Sequence, residues 1–323
     1  MTQKPTYAII IPHYNAAVDL SNLLATIPKD DRIQVIVVDD NSTQGDDILE
    51  QVIDSDARCE FYRNNSGIQS AGACRNEGLR HAKGEWILFA DADDLFLDGF
   101  LEVIERYKDR GEDMIIFCPT SCDVETGLLS DRHLLWQEAI SKYQKRQTPK
   151  NRARLQYTSH EPWSKMIKRC LIEHHQIEFA QTLVYNDVLF AARVGCAIKN
   201  FGVSDDKIYC VLKRKGSLST LRGEKIFDIR TQAFLECYLY MRDHLPKKEM
   251  RLIPTRGAQH LMDAYLNHMS LRKLWEITKL FRQNHVKMLK MEYFNPSWFF
   301  RALKGRFHFR KMWKKYDTPG PIA

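Results

Sequence analysis

No stretch of this 323-residue sequence approaches the roughly 20 consecutive apolar residues that a membrane-spanning helix needs. The opening MTQKPTYAIIIPHYN enters a short strand-like run without a cleavage-site pattern, so neither a signal peptide nor a transmembrane helix is expected. Paired cysteines are missing too. The eight cysteines, at 59, 74, 118, 122, 170, 196, 210 and 237, contain no Cys-x-x-Cys, which argues against a zinc site or a disulfide framework and suits reduced thiols. EHHQ, at 173–176, has the wrong spacing for a helical metal pair and reads as a surface turn or helix end. Glycine is absent where a phosphate loop would need it: GIQSAGACRNEG matches neither Gly-x-Gly-x-x-Gly nor Gly-x-x-x-x-Gly-Lys-Ser/Thr, which removes the usual dinucleotide and P-loop signatures.

What is present is a composition of 44% apolar and 28% charged residues, enough to bury one large core or two ordinary ones. The formal charge of +7 is unevenly spread. Residues 271–323 hold thirteen Lys or Arg against three acids, whereas the first 270 hold 35 bases against 38 acids. A basic contact surface therefore belongs to the C-terminal part and not to the body.

The first 120 residues alternate short apolar runs, YAIII (7–11), QVIVVD (34–39), CEFY (59–62), WILFA (86–90) and MIIFC (114–118), with segments apolar at helical spacing. That is a βαβ series, and it predicts an α/β fold with a mostly parallel, buried sheet flanked by helices. KYQKRQTPKNRARLQ reads as a mobile connection or an exposed helix. Further on, EPWSKMIKRCLIEHHQIEF predicts a helix after a Pro–Trp turn, NDVLFAARVGCA a helix capped by Asn186, and KIYCVLKRKGS a strand ending in a basic loop. From about 222 onward the pattern is helical.

Ligands of such sheets bind beyond the carboxyl ends of the strands. Three polar clusters fall there: PHYN after the first strand, DDNS after the second and DADD after the fourth. In DADD the carboxylates Asp91, Asp93 and Asp94 repel one another, and burying even one unpaired carboxylate costs about several kcal/mol, so a cation or a set of donors must stand beside them. An acidic helix N-terminus ahead of FLEVIERY is the structural alternative. An Asp-x-Asp pair at a strand end suits a hard divalent cation that neutralises a diphosphate, and Asp39, Asp40 and Asn41 suit an uncharged base or ribose. A nucleotide with a metal fits both clusters. Phosphatases of the Asp-x-Asp type carry their pair after the first strand, where this chain has PHYN, and a nucleotidyltransferase would need a glycine-rich basic loop at that place.

Taken in order, IIIPHYN, VIVVDDNS, NNSGIQSAGACRNEGLRHAKGEWILFADADD, PWSKMIKR and QIEFAQTLVYNDVLF resemble the family 2 glycosyltransferases of GT-A fold over roughly residues 6–218. The resemblance implies a GT-A domain over 1–218 followed by a helical C-terminal region over 219–323. It implies an inverting transfer of a sugar from a nucleotide sugar, UDP-linked, to a hydroxyl of a glycan or lipid-linked acceptor in capsule, lipopolysaccharide or exopolysaccharide synthesis, with Mn²⁺ or Mg²⁺. By the same resemblance Pro12 and Tyr14 hold the nucleobase, Asp40 accepts from the uracil ring, Arg75 lies near base or phosphates, Asp91 near ribose and metal, and Asp93 is the principal metal ligand. Asp187 matches the acidic position at the start of a helix and is the candidate general base; Asn186 replaces the Glu usual before it. The alternative reading is an inactive transferase-like assembly partner at the membrane.

Residues 297–316, read as a helix, place Trp298, Ala302, Gly305, Phe309, Met312 and Tyr316 on one face and Lys304, Arg310, Lys311 and Lys314 opposite, with Phe300, Leu303 and Phe307 on the basic side. Aromatics mixed with bases suit an anionic membrane interface, which gives a location in the cytoplasm or peripherally on the inner face of the cell membrane. Packing on the transferase domain, or on a second copy in an oligomer, is the competing reading; nucleic acid is not expected, because the body is acidic.

Overall fold

The computed structural model describes residues 4–55, 59–214, 221, 223–253 and 256–288. The apolar runs become strands β1 (Tyr7–His13), β2 (Ile33–Asp39), β3 (Cys59–Arg63) and β4 (Trp86–Phe89), followed by β5 (Leu95–Phe96), β6 (Met114–Asp123), β7 (Lys165–Lys168) and β8 (Phe201–Lys213). They form one eight-stranded sheet of order β3-β2-β1-β4-β7-β6-β8-β5. The β3-β2-β1-β4 half is wholly parallel, β6 and β8 are parallel, and β7 and β5 run antiparallel to their neighbours.

Side chains alternate across a strand, so β1 serves two layers at once. Tyr7, Ile9 and Ile11 enter one core with Leu20 and Leu23 of α1 (Ala17–Ala25) and Phe100 and Ile104 of α4 (Phe100–Glu105). Ala8 and Ile10 enter the other, with Cys74 of α3 (Ala71–His81) and Phe190 and Val194 of α8 (Asp187–Ala197). Burial on both faces is why these strands read as continuous apolar runs. Beside α1 lies α2 (Asp46–Ser55). A third core joins α6 (Pro149–Thr158) and α8 to α9 (Glu224–His244), α10 (Lys247–Leu252), α11 (Gly257–Leu266) and α12 (Leu271–Gln283).

Three readings of the middle of the chain change. The helix expected across EPWSKMIKRCLIEHHQIEF begins only at α7 (Arg169–His174); the residues before it form β7, which fills the gap between β4 and β6. Met166 and Ile167 point into opposite cores, so completing the sheet outweighs local helical preference. The basic stretch after residue 141 is the end of α5 (Leu134–Lys145) and then α6, whose start is fixed by Thr148 accepting from the Asn151 N–H, with Pro149 in the first turn. Ala153 and Tyr157 enter the core shared with α9–α12 and Leu155 the one beneath α8, so α6 is neither mobile connection nor exposed helix. Asn186 precedes α8 but makes no side-chain cap. The basic-aromatic segment 297–316 and most of the loop 213–217 lie outside the described residues.

Candidate active site

Because β1, β2 and β4 are parallel neighbours, their carboxyl ends share one edge of the sheet. Pro12 lies near the end of β1 opposite Val38, and Tyr14 follows it with 46% of its surface exposed, so it is not a core aromatic. His13 is buried; its Nδ1 lies 2.9 Å from Asp39 and its Nε2 accepts from the Ala16 N–H, which assigns the ring proton to Nδ1. Burial raises the Asp39 pKa, but hydrogen bonds from Ser42 and His13 outweigh it and hold that carboxyl below its ordinary range. Asp39 thus braces the loop after β2. Asp40 is also buried, and its Oδ1 accepts from the Asn64 amide at 2.6 Å. Asn64 in turn donates to the Ile68 carbonyl, tying the β3–α3 loop to the β2 end.

At the end of β4 the three carboxylates divide their work. Asp94 is not a helix cap: it is buried, and accepts from the Tyr209 hydroxyl at 3.0 Å and from the Leu212 N–H at 2.8 Å. The same hydroxyl accepts from the Asp91 N–H at 2.8 Å, so β8 clamps the acidic turn at two points. Trp163 stacks on Tyr209 at 5.8 Å. Asp91 is partly exposed and pairs with the buried Arg75 at 2.5 Å. Among the described residues the side-chain bond to Asp93 is a weak one from Arg214 to its carbonyl, at 3.4 Å, while burial and then the Asp91 charge push its carboxyl above the ordinary range.

That arrangement suits a divalent cation. Asp93 is driven toward the neutral form by burial and then by a like charge, and a cation held by the carboxylates would offset both. Among the described residues no group of three or more His, Cys, Asp or Glu side chains is arranged as a complete cage. One or two carboxylates completed by substrate oxygens is the usual way Mg²⁺ is held.

Arg75 joins this edge to the start of α8. One amino group donates to Asp91, the other to Asn186 Oδ1 at 2.9 Å, and the guanidinium lies 5.3 Å from the Phe179 ring centroid. This is a buried bridge, not a salt bridge on an exposed helix face. Asn186 spends its side chain on Arg75 and on the Thr182 carbonyl, which is why it does not cap. Asp187, next in the chain, is raised by burial, partly offset by the Arg75 charge. Nearby, burial and the Asp187 charge push Glu161 up to about 7. Burial draws Lys165 down to about 8 while its ammonium donates to the Ser159 and Glu161 carbonyls at 2.7 and 2.5 Å.

The approach of α3 to this loop needs a glycine. A Cβ on Gly72 would stand 2.1 Å from the Ala180 carbonyl oxygen and 2.9 Å from Asn186 Cβ. Gly72→Ala should therefore destabilise the protein by about 1–3 kcal/mol, read from urea unfolding, by forcing the Asn186 segment away from Arg75. A midpoint equal to wild type would show that the loop yields freely.

The structure brings Arg75, Asp91 and the start of α8 together and puts Pro12, Tyr14 and Asp40 on the adjoining strand ends. Asn64, Tyr209 and Glu161 were not singled out in the sequence, and Arg214 stood there only as part of the basic loop KRKGS. Asn64 sits inside a stretch quoted for its resemblance, whereas Tyr209 looks like any strand aromatic until β8 is seen beside β4's acidic turn.

A twisted α/β sheet whose parallel half ends in acidic clusters, extended by mixed strands and flanked by helices, is a GT-A fold. S. aureus TarS 1–349, solved with UDP-GlcNAc, superposes with a TM-score of 0.64 at 20% identity, covering 80% of this chain and 72% of that one. Residues 8–167 match the model of glycosyl transferase family 2, and the chain belongs to that family. Among curated relatives, the putative glycosyltransferase EpsH of Bacillus subtilis is 26% identical over 184 residues, 55% of this chain and 51% of EpsH. The GalNAc(5)-diNAcBac-PP-undecaprenol beta-1,3-glucosyltransferase of Campylobacter jejuni is 29% identical over 110 residues, 33% of this chain and 36% of that enzyme. The chain thus spans about half, or less, of the length of these curated relatives.

Proposed function

We propose that the protein is an inverting glycosyltransferase that moves a sugar from a UDP-linked donor to a hydroxyl of a glycan or lipid-linked acceptor in the synthesis of a surface polysaccharide. The observation that carries this reading is the Arg75 bridge: one guanidinium links Asp91, beside the metal candidate, to Asn186, beside the base candidate. Two carboxylate centres 96 residues apart in sequence (Asp91 and Asp187) are thereby anchored to one rigid group. That the fold is shared with a protein solved with UDP-GlcNAc, and that a relative's name specifies an undecaprenol-linked acceptor, supports the donor and acceptor classes.

In this reading residues 1–218 are the catalytic domain and 219–323 a helical region. Tyr14 and Pro12 flank the base, Asp40 accepts from the uracil N–H, and Asn64 keeps the Asp40 carboxylate turned toward it. Asp93, with Asp91, would hold Mn²⁺ or Mg²⁺, which when bound offsets charge growing on the departing diphosphate. Asp187 takes the acceptor proton as the hydroxyl attacks the anomeric carbon from the face opposite the nucleotide. Its raised pKa makes it a stronger base than an exposed aspartate. Attachment to an anionic membrane surface through residues 297–316 would hold the crevice near a lipid-linked acceptor.

A panel of nucleotide sugars with Mn²⁺, scored for hydrolysis and binding, tests the reading. UDP sugars should be bound and slowly hydrolysed, and Asp40→Ala should weaken uridine nucleotides more than others. No hydrolysis of any donor would favour the inactive-partner alternative, and an unchanged base preference would remove Asp40 from base recognition.

A further inference from the structure

The tip of the C-terminal helical region carries apolar surface that the third core leaves uncovered. Met262, Tyr265 and Leu266 share one face at the end of α11, and Leu271 and Trp275 share one at the start of α12, with Leu266 and Leu271 at either end of the short turn between them. Leu271 is 82% and Trp275 64% exposed. The same α12 stripe continues at helical spacing through Arg272, Lys279 and Arg282, and the Lys279 ammonium lies 5.4 Å from the Trp275 ring centroid. Arg272 shares its charge with Glu276 at 3.0 Å. By contrast Ile277 and Phe281, on the other side of α12, are buried, and Lys273 is bound to Glu224 and Asp228 of α9. One side of α12 therefore holds the helix in place and the other combines tryptophan, leucine and unburied cations.

We propose that this α11–α12 tip docks on the surface of an anionic lipid bilayer. Trp, Tyr and Leu beside Lys and Arg are the residue types that lie at the boundary of headgroups and acyl chains, where ring and aliphatic atoms are buried and cations meet anionic headgroups. Charge decides against the two other occupants. A second copy of the chain on a two-fold axis would bring Arg272, Lys279 and Arg282 against their own equivalents. Residues 289–323 carry eight Lys or Arg against two acids and would meet the stripe with like charge. The surface is built from the described helices, so it is independent of the reading of 297–316 and of the transfer reaction.

The test uses the full chain, without nucleotide, mixed with vesicles of phosphatidylglycerol and phosphatidylcholine or of phosphatidylcholine alone. Wild-type protein should sediment with the anionic vesicles and lose binding at high salt. Leu271→Ser with Trp275→Ser should weaken that binding at least about tenfold, since both side chains lose their apolar burial. Arg272→Gln, Lys279→Gln and Arg282→Gln should each cost about fivefold and flatten the salt dependence. All these side chains are exposed, so melting temperature and UDP affinity should match wild type; lost UDP binding in every protein would count against the transferase reading alone. Vesicle binding unchanged in the Leu271/Trp275 variant would overturn the proposal, as would a wild-type dimer that this variant splits in sedimentation velocity.

Discussion

Replacing Asp187 by asparagine is expected to cut sugar transfer by at least about 10²-fold while UDP affinity and melting temperature remain near wild type, the pattern of a lost general base. Asparagine preserves shape and removes only the ability to take a proton. The usual structural objection, that an acidic residue at a helix start merely favours the helix dipole, predicts a stability loss of about 0.3–1 kcal/mol and no loss of turnover. Single-turnover rates with a saturating donor separate the two. In the wild-type protein, transfer should also fall as the medium is acidified through the raised Asp187 pKa, because the protonated carboxyl has nothing left to accept. Turnover by Asp187→Asn within a few-fold of wild type would leave Asp187 a structural residue.

Asp93→Ala should abolish the Mn²⁺-dependent part of UDP binding, a loss of the whole difference between titrations with Mn²⁺ and with EDTA. Among the described residues no side chain bonds the Asp93 carboxylate, whereas Asp91 is paired with Arg75 and Asp94 is bound by Tyr209 and Leu212. Removing Asp93 leaves a diphosphate facing Asp91 with little to offset its charge. Calorimetry of UDP against both proteins reads the difference directly. Wild-type affinity that is equal in EDTA and in Mn²⁺ would end the metal role for this turn.

The parallel half of the sheet was legible because its strands are short, apolar and separated by helical periodicity, and both signals are local. Asp40, Asp91 and Asp93 stood out for the same reason, as charge at the end of an apolar run. The resemblance singled out Arg75, but not what it does: its partners Asp91 and Asn186 lie 16 and 111 residues away. β7 was misread because KMIK has no pattern of its own; its strand form is imposed by β4 and β6 on either side. Asn186 looked like a cap because the residue type and place were right, and Arg75 claims its side chain instead. Of α11 and α12, the sequence shows helices, but which apolar residues remain uncovered depends on how α9 and α12 pack.

The clamp of β8 on the acidic turn has a consequence for how the protein is made. Asp94 reaches its two donors only across 115 and 118 residues of chain, and Arg75 finds Asn186 across 111. During synthesis the segment matched to the family, ending at residue 167, emerges from the ribosome before Asn186, Tyr209 or Leu212 does. A nascent polypeptide of that length can pair β1, β2, β3 and β4, yet its Asp91–Asp94 turn has no hydroxyl or amide from β8 to hold it. Contacts so distant in sequence form late and slowly. Nucleotide recognition should therefore be acquired in one step, after about residue 214 has emerged, and release of chains stalled at increasing lengths would show UDP capture appearing abruptly there rather than growing with the parallel sheet.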